Sequence, residues 1–329
     1  MKQRQLGKGG PMVGEIGLGA MSIGGFLGPT DQATSFRTLD KAIELGVTHI
    51  DTALIYGPYI SEEVIGDYLK KNPSAKQKFT IGTKGGINAS PRAVNNSEPF
   101  LRECLEGSLS RLGVEAIDLY YVHRRQHDIP IEDVTATLAK FKQEGKIKAL
   151  GFSEIAPASL MRASSVHHIS AVQNEYSLWT RLPELGMLQA CKKLGTAFVA
   201  FSPLARGVLS DRSINPSIKA DSDFRKKVPR FMEPNWSFNK KLVQDLQAFA
   251  KSRGWTTEAL ALAWVLRHND HVIAIPGTRT AEHLEQDVKA NGIKLTADDI
   301  AKIEEIMPVG GVHGNRYSVE QQGAAEHYC

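Results

Sequence analysis

The stretch THIDTALIYGPYISEEVIGDYLKK, residues 48–71, opens as a short apolar strand, turns at Tyr56-Gly57-Pro58, and continues as helical sequence from about residue 61. The same unit recurs along the chain. IGLGA precedes a predicted helix over 31–45. FTIGTK precedes one over 97–113, where Leu101, Leu105, Leu109 and Leu112 fall at helical spacing, and IDLYYVH precedes one over 131–144. IKALGFS leads to 157–165 and SAVQNEY to 184–193. TAFVAFSP leads through a long segment to 238–253 and 256–267, and HVIAIPGT leads to 280–290. The apolar runs are apolar on both faces, as in a parallel sheet covered by helices, and their alternation with helices implies βαβ units. Eight such units predict a single-domain (β/α)8 TIM barrel over residues 1–329 rather than an open doubly wound sheet. RQLG and MVGEIG, flanking Lys8-Gly9-Gly10-Pro11, predict an N-terminal β-hairpin. Residues 204–236, rich in Pro, Asn, Ser and charge, and residues 308–329 predict long loops over the C-terminal face.

Several classes are disfavoured. GLGAMSIGG (17–25) imitates a dinucleotide fingerprint, but Ser22 stands where the third glycine belongs, and FLGPT intervenes before any helix. A net charge of +4 is too small for a nucleic-acid surface, and the densest basic run, RKKVPR (225–230), reads as a solvated patch. Cys104, Cys191 and Cys329 are far apart and lack metal-ligand spacing, which suits a reducing compartment and no metal. The N-terminus carries no apolar leader and no run is long enough to span a membrane, so a soluble cytoplasmic protein is expected.

The strand ends carry the chemistry. THIDT ends near Asp51, FTIGTK in Lys84 and IDLYYVH in His123, while Tyr56 lies just beyond Asp51. Barrel strands aim their C-terminal ends at one mouth, where the loops build the active site. Taken singly, each residue has an ordinary structural role open to it: helix cap, solvated cation, hydrogen-bonded core histidine, turn packing. Together they form a device. A phenol with a pKa near 10 exchanges protons slowly at neutrality, and a neighbouring ammonium lowers that value. A carboxylate would hold the ammonium, and a neutral imidazole would donate to a carbonyl oxygen.

HIDTALIYG, the strand-end Lys84 and YYVHR resemble the Asp-Tyr-Lys-His tetrad of the aldo-keto reductase superfamily, and the likeness runs from EIGLGAMSIGG to IPGTRTAEHL. The resemblance implies reversible reduction of an aldehyde or ketone, with Tyr56 as proton donor, Lys84 and Asp51 tuning it, and His123 orienting the carbonyl. It also implies a nicotinamide coenzyme, NADP(H) or alternatively NAD(H). Gly19, Ala20, Met21 and Asp51 would lie against that coenzyme. Ser153, Glu154 and Gln173 would hold its carboxamide, although many relatives have Asn in place of Glu154. Phe201 would stack on its ring, and Ser202, Pro203, Leu204 and Arg206 would meet its pyrophosphate beneath 204–236 as a clasp. Pro276, Gly277, Thr278, Arg279, His283, Gln286 and Asp287 would surround the adenosine end, with His283 and Asp287 replacing the family's frequent Arg and Asn. Phe26, Tyr59, Trp179, Trp236 and the 308–329 loop would rim the substrate, for which sugar and pyridoxal-type alcohols are alternatives.

Two rival readings stand beside this one. A regulatory subunit, as in the reductase-like β subunits of potassium channels, would keep the tetrad, but the chain shows no N-terminal inactivating extension. A metal-dependent barrel hydrolase or isomerase needs clustered ligands, and no His-x-His pair ends a strand. Oligomeric state is not legible.

Overall fold

The computed structural model describes residues 1–26, 28–212, 223–267, 270–323 and 325–328. Strands β1 (Gln3–Gln5) and β2 (Met12–Gly14) form the expected antiparallel hairpin. The eight apolar runs become β3 (Leu18–Gly19), β4 (His49–Asp51), β5 (Thr80–Gly85), β6 (Leu119–Val122), β7 (Leu150–Ser153), β8 (Ala171–Glu175), β9 (Ala197–Phe201) and β10 (Val272–Ile275). They pair in parallel, each with its neighbour in sequence. The ends of the sheet meet: Gly17 N donates to Ala274 O at 2.8 Å, Ala274 N to Glu15 O at 2.9 Å, and Gly19 N to Pro276 O at 3.0 Å. The barrel is therefore closed by the backbone on either side of β3 and β10.

Helices α1 (Gln32–Leu45), α2 (Ile60–Lys71), α3 (Glu98–Leu112), α4 (Ile131–Gln143), α5 (Pro157–Val166), α6 (Met187–Leu194), α7 (Asn235–Ser252), α8 (Thr257–Leu266) and α9 (Ala281–Val288) follow the predicted segments. Local chemistry sets their ends. The Asp31 carboxylate accepts from Thr34 N at 2.7 Å, and Gly46, at φ 73°, takes the left-handed turn that stops α1. α6 starts at Met187 rather than 184, because Gly186 at φ 113° separates it from a 3-10 turn at Leu182–Glu184. Two helices lie beyond the eight-unit pattern, α10 (Ala297–Ile306) and α11 (Val319–Gln322). Each opens with a capping box, Thr296 with Asp299 and Ser318 with Gln321. Among the described residues no helix is long and apolar enough to cross a membrane.

The two-residue period of the strands sorts their side chains. Ile50, Tyr120, Val122, Leu150, Phe152, Val172, Phe198, Ala200, Val272 and Ala274 join the large core under the helices. Leu119, Tyr121, Ala149, Ala171, Ala197, Val199, Ile273 and Ile275 fill the barrel, where Leu6 and Val13 of the hairpin region join them. Gly151 leaves room inside for Tyr121, since a Cβ there would lie 2.4 Å from the ring. One step further along the inward rows come Asp51, Lys84, His123, Ser153, Gln173 and Phe201. The apolar filling thus ends in a polar upper layer.

At the opposite end a buried ion pair ties the hairpin to the barrel. Arg4 Nη2 lies 2.5 Å from Glu15 Oε2 and donates to Leu266 O at 2.9 Å, with both side chains buried. Arg4→Leu should lower stability by about 3–5 kcal/mol, because Glu15 keeps its burial without its counter-charge. Urea denaturation of this variant and of the Arg4→Leu/Glu15→Leu double variant checks this. The double variant should recover part of the loss, and an unchanged midpoint in the single variant would refute the pairing.

Candidate active site

The tetrad converges. Lys84 Nζ, fully buried on β5, donates to Asp51 Oδ1, to Thr52 O at 2.8 Å and to Tyr56 OH at 3.4 Å. Gln173 on β8 donates from Nε2 to the second Asp51 oxygen at 2.7 Å. The Tyr56 ring lies edge-on to His123, with centroids 5.9 Å apart, and edge-on to Phe26 at 6.2 Å. The loop bearing Tyr56 is pressed against the one after β3: a Cβ on Gly24 would sit 2.6 Å from the Tyr56 carbonyl carbon. Backbone strain gathers at the same mouth. Among the described residues, the non-glycine residues with left-handed φ are Tyr59, Glu154, Ser202, Ala205 and Arg206, all on loops leaving strand C-terminal ends.

Burial sets the protonation states. It pulls Lys84 down, but the Asp51 charge and Tyr56 outweigh it, so the ammonium is held above its ordinary value. Burial, and then the charges of Arg124, Lys84 and Arg92, keep His123 well below its ordinary value, as a neutral imidazole. Tyr56 departs from the expectation. Burial pushes the phenol up and the Lys84 charge offsets only part of that, so the net direction is upward. The reason is that desolvation of a phenolate inside the barrel outweighs one cation at 3.4 Å.

A cavity of about 380 Å³ adjoins Tyr56 and Asp51 and runs past the ends of β3, β8, β9 and β10. Gly19, Ala20, Met21, Gln173, Phe201, Ser202, Pro203, Leu204 and Arg206 line it, as do Gly277, Arg279, His283, Gln286 and Asp287. Ser153, Glu154, Pro276 and Thr278 do not. Ser153 Oγ accepts from Arg124 Nη1 at 3.1 Å, and Pro276 O accepts the barrel-closing bond from Gly19. Thr278 Oγ1 donates to Asp287 Oδ2 at 2.9 Å. Glu154 is turned away, with Oε2 at 2.5 Å from Arg316 Nη2 and Oε1 accepting from Glu175 N at 2.9 Å. Arg206 also reaches toward Glu175, at 3.5 Å.

The wall includes residues that the sequence pattern does not single out, among them Arg212, Arg225, Glu258 and Ser210. Arg225 corrects the solvated reading of RKKVPR: it is buried, paired with Asp223 at 2.6 Å, and donates to Arg206 O at 3.0 Å. Arg230, in the same run, donates to Trp179 O at 2.6 Å. Charge density alone did not mark them, because the Arg206 and Trp179 carbonyls that hold them come from distant loops. Residues 213–222 of the predicted clasp lie outside the described residues, as does Cys329. Among the expected rim residues, Phe26 touches Tyr56, while Tyr59 is exposed beneath the Arg111 guanidinium, 4.5 Å from its ring centroid. Trp179 and Trp236 sandwich Phe231, at 5.7 and 5.8 Å. Among the described residues no His, Cys, Asp and Glu cluster could hold a metal.

The model of the Aldo/keto reductase family matches residues 15–308. The chain is 37% identical to a protein named probable aldo-keto reductase 1 from Glycine max, over 95% of this chain and 91% of that one. It is 35% identical to the aldo-keto reductase yakc [NADP(+)] of Schizosaccharomyces pombe, over 94% and 93%. Among solved structures, the glycerol dehydrogenase AKR11B4 from Gluconobacter oxydans superposes with a TM-score of 0.81 at 28% identity, covering 90% of this chain and 92% of that one.

Asp287 supplies a test of the cavity wall. Burial first, and then the nearby Glu258 charge, push its carboxyl up to about 8 against the Thr278 hydrogen bond, from an ordinary value of 3.8. Between those values the unfolded chain has released a proton that the folded chain keeps, so stability is full below the lower value and falls as pH rises toward 8. Asp287→Asn cannot ionise and should flatten that fall. Its melting temperature should exceed the parent's by at least about 2 °C at pH 8.5 and by little near pH 4. Parallel pH dependences in thermal melts would show that the Asp287 carboxyl ionises normally.

Proposed function

The chain belongs to the aldo/keto reductase family and is an NAD(P)-dependent oxidoreductase of small carbonyl compounds; from that premise we propose that it reduces aldehydes or ketones reversibly with NADP(H), Tyr56 giving the proton. One observation carries the reading: a fully buried Lys84 bonds both Asp51 and Tyr56 beside a cavity with four arginines, Arg206, Arg212, Arg225 and Arg279, on its wall. That wall fits the polyanionic half of a dinucleotide, with Phe201 available to a flat ring nearer Tyr56. NADP(H), when bound, supplies the hydride that no side chain can provide.

The side chains divide the remaining work. His123, neutral, donates a hydrogen bond to the carbonyl oxygen and fixes its direction. The Tyr56 hydroxyl stays protonated through neutral pH and delivers its proton to that oxygen as negative charge develops there. Lys84 then faces the phenolate, and Asp51 keeps the ammonium charged and aimed. Gln173 closes the remaining Asp51 oxygen, so the carboxylate cannot swing from Lys84. In the oxidative direction the same groups take the proton back.

Arginine on the wall and the NADP(+)-named relative favour NADP(H). A second reading, NAD(H)-linked oxidation of an alcohol, is favoured by His283 and Asp287 on the same wall, where the resemblance leads one to expect Arg and Asn.

Fluorescence titration with NADPH and NADH tests the coenzyme: NADPH should bind at least about tenfold more tightly, by one added charge-assisted contact. The reverse order would select the second reading, and binding of neither would sink both. Tyr56→Phe should lower kcat by about 10²–10⁴-fold while keeping the NADPH affinity. Full turnover in that variant would displace Tyr56 as the proton donor, and full activity in Lys84→Met would sink the tuning role of Lys84.

A further inference from the structure

Beyond the tetrad, two arginines stand at the rim on the side of His123. Arg124 follows His123 directly. Its Nη1 donates to His123 O at 2.6 Å and to Ser153 Oγ at 3.1 Å, and its Nη2 to Tyr317 OH at 3.4 Å. A guanidinium carries five N–H groups, so these bonds leave donors unspent. Arg92, exposed on the loop after β5, lies over the Phe26 ring at 5.4 Å, and Phe26 is the ring set edge-on to Tyr56. The two loops are stitched together. Asn96 Nδ2 donates to Arg124 O at 3.1 Å, and Asn96 exchanges two further bonds with Gln126, at 2.7 and 2.9 Å. A short bridge between Ile87 and Val94, with Asn88 N donating to Ala93 O at 2.8 Å, holds the turn that presents Arg92.

The neighbouring charges are matched differently. Lys84 is answered by Asp51, and Arg316 and Arg206 share Glu154 and Glu175. Arg92 and Arg124 make the contacts named above, and none of these is to a carboxylate among the described residues. Both act on His123, and Arg124 acts on Tyr56 as well. The mouth therefore keeps two cations with no carboxylate among these contacts beside the point where the carbonyl would be held, and positive charge of this kind draws anions from solution.

We propose that the substrate is an aldehyde carrying a carboxylate, with Arg92 and Arg124 reading the carboxylate while Tyr56 and His123 hold the carbonyl. This rests on the carbonyl-reduction reading and names its substrate class. The flat Phe26 face between Arg92 and Tyr56 suits an aromatic or planar spacer, and the arginine fork suits the two carboxylate oxygens.

The test compares para-carboxybenzaldehyde with its neutral counterpart, para-carbamoylbenzaldehyde, using the full chain and its reduced coenzyme. The parent should favour the carboxylate by about tenfold or more in kcat/KM, the worth of a charge-assisted hydrogen bond. The preference should lie chiefly in KM, shrink in about 0.5 M salt, and fall at least about threefold in Arg92→Gln, whose exposed side chain makes misfolding a poor explanation. Equal efficiency on the two aldehydes, or a preference that survives both salt and Arg92→Gln, overturns the inference and leaves carbonyl reduction standing. Turnover of neither, by protein that binds coenzyme, overturns the reduction reading along with it.

Discussion

The structure is organised around one buried ion pair. Lys84 is fully buried and Asp51 nearly so, and an ammonium or carboxylate at such depth is tolerated only when its charge and hydrogen bonds are answered. Here they are answered by three different strands: Asp51 from β4, Lys84 from β5 and Gln173 from β8. β4 and β8 do not pair with each other, so Gln173 reaches Asp51 only across the barrel interior. Closure of the barrel is therefore a condition for the pair, because an open sheet would leave the second Asp51 oxygen without its amide. A one-residue slip of any of these strands would turn its polar end into the helical layer.

That geometry explains why the tetrad was legible in the sequence. One strand ending in an ionisable residue has ordinary readings, but Asp51, Lys84 and His123 end successive strands whose C-terminal ends share one mouth, and together they leave few others. The cavity's glycines and Phe201 carry no ionisable group, and only the resemblance to the aldo-keto reductases marked them. The orientation of Glu154 was not legible, because its partner Arg316 lies more than 160 residues further along the chain and nothing local marks the pairing. Arg225 and Arg230 were obscured similarly: in sequence they are two members of a basic run, and only the fold gives one the Arg206 carbonyl and a cavity wall, and the other a Trp179 carbonyl. The upward net direction of Tyr56 was hidden for a different reason. The sign depends on a competition between desolvation and a single nearby charge, and neither depth nor distance is written in the motif.

The C-terminal segment shows how the two sides of the mouth are joined. Arg316 pairs with Glu154 after β7 and with Glu175 at the end of β8, while Arg206 of the cavity wall approaches the same Glu175 oxygen. Glu326 answers Arg125 and caps the start of α5 by accepting from Ala156 N at 2.7 Å, and Tyr328 OH accepts from Asn174 at 2.8 Å. Glu175 thus serves arginines from both the cavity loop and the tail. Any ligand anion that draws Arg206 away leaves Glu175 more dependent on Arg316, which couples the cavity electrostatically to the tail.

Costs and stabilisation are separated in space. The left-handed residues, the neutral imidazole of His123, the raised carboxyl of Asp287 and the Asp51–Lys84 pair all gather around the barrel mouth. Apolar side chains fill the barrel below them and the layer beneath the helices, and the Arg4–Glu15 pair secures the other end. Strain of this kind persists only where the surroundings over-determine it. A barrel provides that, since each mouth loop springs from a strand held on both sides by hydrogen bonds. The chemistry can then change through the loops, as Arg92 and Arg124 illustrate, while the layer that holds Asp51 and Lys84 stays rigid.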